Sequence, residues 1–360
     1  MKDQTTSITS IAQHLGVSKS TVHRALSGHG AVKASLRATI VQMADTLGYQ
    51  PNPFARSLRL QRSFTIGVIT GFSGISSMYQ VMEEAAEAQG YRTIITPLVM
   101  RTAAQEERAL AWMLERRVDG VILITDTPRA DDSAYDRLLA AGIPIVFQTL
   151  TEPRVAADWV TTDNELGGYL AAQHLLNQRR QRLALVFDTS GLDQPTWTWT
   201  WQADRLRGCE RAITEMGAFP LLHLGTGNAE DGWEDYGYHA VRAALIAGDC
   251  PFDALVAIND AAAYGAIQAL RERGLRIPDD VAILGFDNTD WCDKLQPPLT
   301  SLAFPARELA RAAMQSVFTQ LNRGEEPYAR HVVKIAPSLI IRASCGGTPT
   351  PSAARLSAKE

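Results

Sequence analysis

Apolar positions at the start of the chain fall on a helical period. Ile8, Ile11, Ala12 and Leu15 recur at i, i+3, i+4 and i+7, the spacing of one buried helix face. Gly16 follows, a residue free to take the positive φ of a tight turn. Ser18 suits an N-cap, and Val22, Ala25 and Leu26 share the next apolar face. Lys19, Ser20, His23 and Arg24 fall on the opposite face or at its amino end. A third helix is predicted over about Ala34 to Leu47, striped by Ile40, Met43, Ala44 and Leu47 and stopped by Gly48. Two short helices about a glycine turn, the second polar and basic on one side, are the pattern of a helix-turn-helix. In that motif the second helix enters the DNA major groove. A helical hairpin with a merely solvated face has the same pattern.

Tyr49 to Arg59 is a linker in which Asn52 can cap a short helix with Pro53 at its first position. Phe54 and Leu58 would share a face, but a helix of about six residues is marginal unless something holds it. Beyond Arg62 the period changes. Apolar runs such as Phe64 to Ile69, Gly120 to Thr125 and Ile143 to Phe147 alternate with helical stretches such as Ala103 to Arg117. The alternation restarts after Val160-Thr161-Thr162 and runs through Val281 to Leu284. Strands alternating with helices of this length predict βαβ units on parallel sheets. Two such halves in tandem predict a two-lobed α/β body. Ligands of open α/β sheets bind outside the carboxyl ends of the strands.

Charge sharpens the picture. The 360 residues carry a net charge of −4. Residues 1–62 hold eight basic side chains against Asp3 and Asp45, an excess of six, which leaves −10 on the remainder. A basic head on an acidic body suits a polyanion-binding head. Hydrophobic content of 46% is ordinary for a globular chain, and no apolar run reaches membrane-spanning length. Met1 to Ser10 lacks the apolar core of a signal peptide. Cys209, Cys250, Cys292 and Cys345 are widely spaced, which predicts no disulfide framework, no metal site and a cytoplasmic location.

Gly16-Val17-Ser18, Thr21-Val22 and Arg24-Ala25-Leu26 are followed by Leu47-Gly48-Tyr49, Pro51-Asn52 and Ala55-Arg56-Ser57-Leu58. Further on stand Ala257-Ile258-Asn259-Asp260, Gly265, Gly274, Pro278, Val281, Gly285-Phe286-Asp287-Asn288 and Pro297-Pro298-Leu299-Thr300. In this order the series resembles the LacI/GalR family of transcriptional regulators, over about residues 8–342. The resemblance implies a small all-α helix-turn-helix head and a body like a periplasmic sugar-binding protein. The head would span 1–50 and a hinge helix 51–62. The effector-binding and dimerisation core would span 63–342, with lobe one about 63–161 and 293–322 and lobe two about 162–292 and 323–342. The last crossovers would return Leu302 to Leu321 to lobe one and Val332 to Ile341 to lobe two. Residues 343–360, rich in Gly, Pro, Ser and Thr, read as a disordered tail without heptads.

The implied partners are operator DNA, a second copy of the chain and a small-molecule effector, with no cofactor and no membrane. The DNA-binding residues carried over are Lys19, Ser20, Thr21, His23, Arg24, Asn52, Ala55, Arg56 and Leu58, the last as a wedge in the minor groove. His23 stands where the family usually has serine, so the operator is expected to differ. Effector contacts carried over are Arg205, Asn259, Asp287, Thr149, Thr162 and Phe304. Forked donors and acceptors of this kind suit polyol recognition. Asn259 could instead cap the helix that follows it.

Trp197, Trp199 and Trp201 alternate after a predicted strand and would share one side of an extended loop. That loop either lines the cleft and stacks on sugar rings or packs onto the body. Trp233 sits in a second such loop. A catabolic enzyme with a fused head is the competing class, and a nucleobase or sugar-phosphate corepressor the competing effector. Gly71-Phe72-Ser73-Gly74-Ile75 lacks the last glycine of a nucleophile elbow, and no P-loop, HExxH or GxGxxG occurs. Arginine and asparagine without a nucleophile–base pair bind rather than react.

Overall fold

The computed structural model describes residues 7–26, 31–49, 57, 60–72, 76–126, 130–149, 152–189, 200–225, 232–246, 248–324 and 329–348. The chain divides into two compact units, Met1–Ser63 and Phe64–Glu360.

The first unit holds α1 (Ile8–Leu15), α2 (Lys19–Leu26) and α3 (Ala34–Thr46). Ser7 and Ser10 form a reciprocal capping box at the start of α1, which satisfies two of the backbone groups a helix end leaves open. Gly16 ends α1 at φ +64°, a conformation that strains any residue with a Cβ. Ser18 then caps α2, its hydroxyl accepting the Thr21 N–H at 3.1 Å. Ile11, Ala12, Val22, Ala25, Ile40 and Ala44 make the buried centre. Half of these are alanines, so the core is small.

The second unit contains two six-stranded sheets. The first is ordered β11-β5-β4-β3-β1-β2, from β1 (Thr65–Thr70), β2 (Arg92–Pro97), β3 (Gly120–Thr125), β4 (Ile145–Thr149), β5 (Asp158–Thr162) and β11 (Val332–Ile335). The second is ordered β12-β10-β9-β8-β6-β7, from β6 (Leu183–Val186), β7 (Leu222–Leu224), β8 (Ala254–Ala257), β9 (Ala282–Asp287), β10 (Thr300–Ala303) and β12 (Ser338–Ile340). Every strand pair is parallel except β10 with β12. Inner strands such as β3, β4 and β8 are buried throughout. That accounts for their unbroken apolar runs, since parallel sheets are covered on both faces. The covering helices are α4 (Ser76–Ala88), α5 (Ala103–Glu115), α6 (Asp132–Ala140), α7 (Asn164–Asn177), α8 (Thr200–Met216), α9 (Trp233–Leu245), α10 (Asp260–Glu272) and α11 (Ala306–Asn322). No described helix is long and apolar enough to cross a membrane.

The strand assignments correct the expected lobe boundaries in two places. Thr300–Ala303 belongs to the second sheet, paired with Leu284 to Asp287 and burying Leu302 in that lobe's core. The chain crosses to the first lobe only afterwards, where α11 buries Leu309, Ala310, Ala313, Met314 and Val317. The stretch 332–341 is likewise divided. Val332–Ile335 pairs with β5 in the first sheet, and Ser338–Ile340 pairs with β10 in the second. Pro337 stands between them and has no N–H with which to continue a ladder. The chain thus passes between the sheets three times, at 163, 304–305 and 336–337.

The tail expectation is also corrected at its start. Ala343–Cys345 is a 3₁₀ turn with Ser344 and Cys345 fully buried. Ser344 Oγ donates to the Ile283 carbonyl at 2.7 Å and accepts the Thr300 N–H at 2.8 Å. These bonds dock a polar segment that composition alone reads as disordered. Residues 349–360 lie outside the described residues.

Candidate functional site

On the first unit, Lys19, Ser20 and Arg24 are exposed along α2, and Arg24 Nε donates to the Ser20 carbonyl at 3.3 Å. His23 and Thr21 are half-buried. The Thr21 hydroxyl lies 2.8 Å from Ser18 Oγ, so Thr21 serves the cap that starts the helix. Asn52, Ala55, Arg56 and Leu58 lie outside the described residues.

On the second unit, Arg205 is the centre of the candidate effector site. Its position follows from two glycines. A Cβ on Gly168 would lie 2.0 Å from the Arg205 carbonyl oxygen, and one on Gly208 would lie 2.0 Å from that of Glu165. Only glycine at both places lets α7 and α8 approach this closely. The approach brings Asn164, the first residue of α7, to the guanidinium. Arg205 Nε donates to Asn164 Oδ1 at 3.0 Å, and Nη1 donates to the Ile258 carbonyl. Phe286 lies 4.0 Å from the guanidinium carbon and Trp201 4.7 Å, measured to the ring centroids. These contacts fix a side chain that is only 5% exposed, and the planar fork suits both the bonds and the stacking. Nη2 keeps its donors uncommitted to protein among the described residues. Burial lowers the Arg205 pKa to about 10, with Asp287 and Asp260 opposing the fall. The group therefore stays charged at neutral pH.

Asp287 ends β9 at φ +98° and Asn288 follows at +51°. Such a backbone costs on the order of 1–3 kcal/mol in a residue with a side chain and clusters at functional sites. The Asp287 side is open to solvent although protein crowds it elsewhere. That crowding pushes its carboxyl up to about 6, against the pull of Arg205 and with a push from Asp260. Contact with water works against the rise.

Asn259 caps α10, its Oδ1 accepting the Ala262 N–H at 2.8 Å. One of its two readings is thus realised, and the amide NH₂ has no protein partner among the described residues. Asn164 Nδ2 donates to the Thr162 carbonyl at 3.2 Å, which ties the first crossover to Arg205. The Phe304 N–H donates to the Asp287 carbonyl at 3.3 Å at the second crossover. Arg205, Asn259, Asp287 and Phe304 are thereby gathered at the carboxyl ends of the second sheet, with Thr162, at the end of β5 in the first sheet, tied to them through Asn164. Thr149 ends β4 in the first sheet, its carbonyl accepting the Trp159 Nε1–H at 2.9 Å.

The tryptophan expectation changes. Trp197 and Trp199 lie outside the described residues. Trp201 is in the first turn of α8 and not in an extended loop. Helical geometry ends the alternation there and puts Trp201 one turn before Arg205. Its ring is buried and meets Trp233 edge-on at 6.2 Å, which in turn meets Tyr236 at 5.7 Å. Trp233 opens α9 and is half-buried against the lobe core. Sequence reasoning missed Asn164 and Phe286, the partners that hold Arg205. Phe286 lay inside the Gly285-Phe286-Asp287 motif. Gln202 also went unnoticed. It is fully buried, its Oε1 accepts the Asp188 N–H at 3.0 Å, and its Nε2 has no partner among the described residues. All four cysteines are free thiols.

Two family models match this chain. "Bacterial regulatory proteins, lacI family" matches residues 7–52, and "Periplasmic binding protein-like domain" matches residues 172–345. The HTH-type transcriptional regulator DegA of Bacillus subtilis is 29% identical over 94% of this chain and 98% of its own. A LacI family transcriptional regulator from Enterococcus faecium, solved with bound ribose, is 27% identical with a TM-score of 0.61, covering 79% of this chain and 99% of that one. The Lac repressor dimer bound to operator and the anti-inducer ONPF has a TM-score of 0.73 at 22% identity, covering 95% and 99%, a likeness of fold. The chain is a DNA-binding transcriptional regulator and not an enzyme. Its head matches the lacI family of bacterial regulatory proteins, and its body matches a periplasmic binding protein-like domain.

Proposed function

We propose that the chain acts in the cytoplasm as a homodimer on an inverted-repeat operator, modulated by a neutral carbohydrate bound between the lobes. Lys19, Ser20 and Arg24 would meet base edges, with His23 beside them. Residues 51–62 would form the hinge, with Leu58 as the minor-groove wedge and Asn52, Ala55 and Arg56 around it. The effector would sit at Arg205, Asn259 and Asp287, with Thr149, Thr162, Phe304, Trp233 and the tryptophan segment 197–201 about it. Effector binding would bias whether the hinge folds, by as much as the ligand distinguishes the two states.

The observation that carries this reading is the Arg205 fork beside Asp287, held rigidly with donors to spare. A charged donor and a carboxylate acceptor side by side fit a polyol, which offers both partners. A carboxylate at the site opposes an anionic ligand, which disfavours a sugar phosphate. The ribose bound to the Enterococcus faecium protein supports a sugar as effector.

The test is calorimetric titration of wild type and Arg205→Ala with ribose, glucose, galactose, cellobiose and maltose. Wild type should bind at least one. Arg205→Ala should weaken that binding by about 1.5–3 kcal/mol, the size of a hydrogen bond to a charged group. It should still bind operator. Unchanged sugar affinity would mean that Arg205 is not at the effector.

A further inference from the structure

Asp287 and Asn288 are the only adjacent non-glycine pair with positive φ among the described residues. Asparagine tolerates that region, but aspartate at +98° lies beyond it and has to be held by its neighbours. Three sets of contacts converge on the turn. Ser301 Oγ accepts the Asn288 N–H at 3.0 Å. Buried Asp260 accepts the Thr289 N–H at 2.8 Å, the Thr289 hydroxyl at 3.0 Å and the Ser301 hydroxyl at 2.6 Å. The third set comes from Arg342, 54 residues along the chain from Asn288.

Arg342 Nη2 donates to Asn288 Oδ1 at 2.8 Å, Nη1 to the Leu299 carbonyl at 2.8 Å, and Nε to Asp293. Its backbone N–H donates to Thr300 Oγ1 at 2.8 Å. The side chain is only 14% exposed. Three acceptors in different directions need the flat fork of an arginine, which a lysine cannot supply. Arg342 also stands two residues after β12, so this brace is tied to the third crossover.

We propose that Arg342 is a positioning residue of the effector site. Through Asn288 it holds the left-handed turn that keeps the Asp287 carboxylate beside Arg205. The inference rests on reading Asp287 as an effector contact.

The experiment uses the full chain and the variants N288G, R342M, R342K and D287N. N288G removes the acceptor of Arg342 without penalising positive φ, because glycine takes that region freely. Hydrogen exchange of amides 287–290 is followed in the ligand-free protein beside the thermal midpoint. In N288G exchange should rise roughly tenfold, in keeping with the loss of one charge-assisted bond, and in R342M at least as far, because three bonds of the Arg342 side chain are lost. In N288G the other amides of the lobe should keep their rates and the midpoint should hold, and R342K should not restore the protection lost in R342M. Affinity for whichever of ribose, glucose and cellobiose binds wild type best should fall about as far. Unchanged exchange in N288G and R342M overturns the proposal. So does a rise in N288G spread over the whole lobe with a falling midpoint, which is a merely structural effect. D287N separates the two readings. Wild-type sugar affinity in D287N removes Asp287 from the effector, while the exchange data still decide whether Arg342 holds the turn.

Discussion

Among single side chains, Arg205 and Asp287 set the chemistry of the site. Burial lowers one pKa to about 10 and raises the other to about 6, so near neutral pH both are charged. In the proposed reading a sugar hydroxyl donates to the ionised carboxylate, so binding would favour the charged form of Asp287. Protonation below about 6 removes that acceptor. Sugar affinity should therefore be level from pH 8 to 7 and fall as pH drops through about 6. Asp287→Asn should flatten that profile at a lower affinity. A titration series from pH 5 to 8 reads both, and a wild-type profile flat across the range would remove Asp287 from the contact. The sign for folding is opposite. A carboxyl whose folded pKa is raised favours the native state at low pH and loses that contribution as pH rises through about 6.

Among the elements, α2 and the α7–α8 pair carry the proposed function, and they were legible to different degrees. The period of Val22, Ala25 and Leu26 with Ser18 as cap specifies α2 from local sequence alone, and the polar residues opposite follow. Arg24→Ala should relax base preference at one position of each half-site by about 1–3 kcal/mol. A selection from randomised DNA reads this. A uniform loss on all sequences would make Arg24 a phosphate contact instead. The α7–α8 contact could not be read in the same way. Gly168 and Gly208 look like ordinary helix residues until backbone from the partner helix is found where their Cβ atoms would be. The four residues Thr300–Ala303 carry no alternation that names a sheet, because only the pairing with β9 decides it. Alternation over Trp197, Trp199 and Trp201 points to an extended loop, but a period of two over five residues does not exclude the first turn of a helix, where Trp201 lies.

Across the whole molecule, two α/β lobes in tandem were legible because each repeats the same alternation of buried runs and amphipathic stretches. What sequence could not supply was the return of the chain after β11 and the docking of Arg342 to Cys345. Both depend on contacts with residues more than thirty positions away. The central claim is that a sugar at Arg205 controls operator binding by the basic head. The most direct test is a titration of full-length protein on an operator chosen from randomised DNA, followed by fluorescence anisotropy. It is run with and without the best-binding sugar, for wild type and Arg205→Ala. The account predicts that the sugar shifts the operator affinity of wild type. It also predicts that Arg205→Ala binds the operator as tightly as sugar-free wild type and does not respond. An operator affinity indifferent to every sugar that binds, or an Arg205→Ala protein that responds as wild type does, would contradict it.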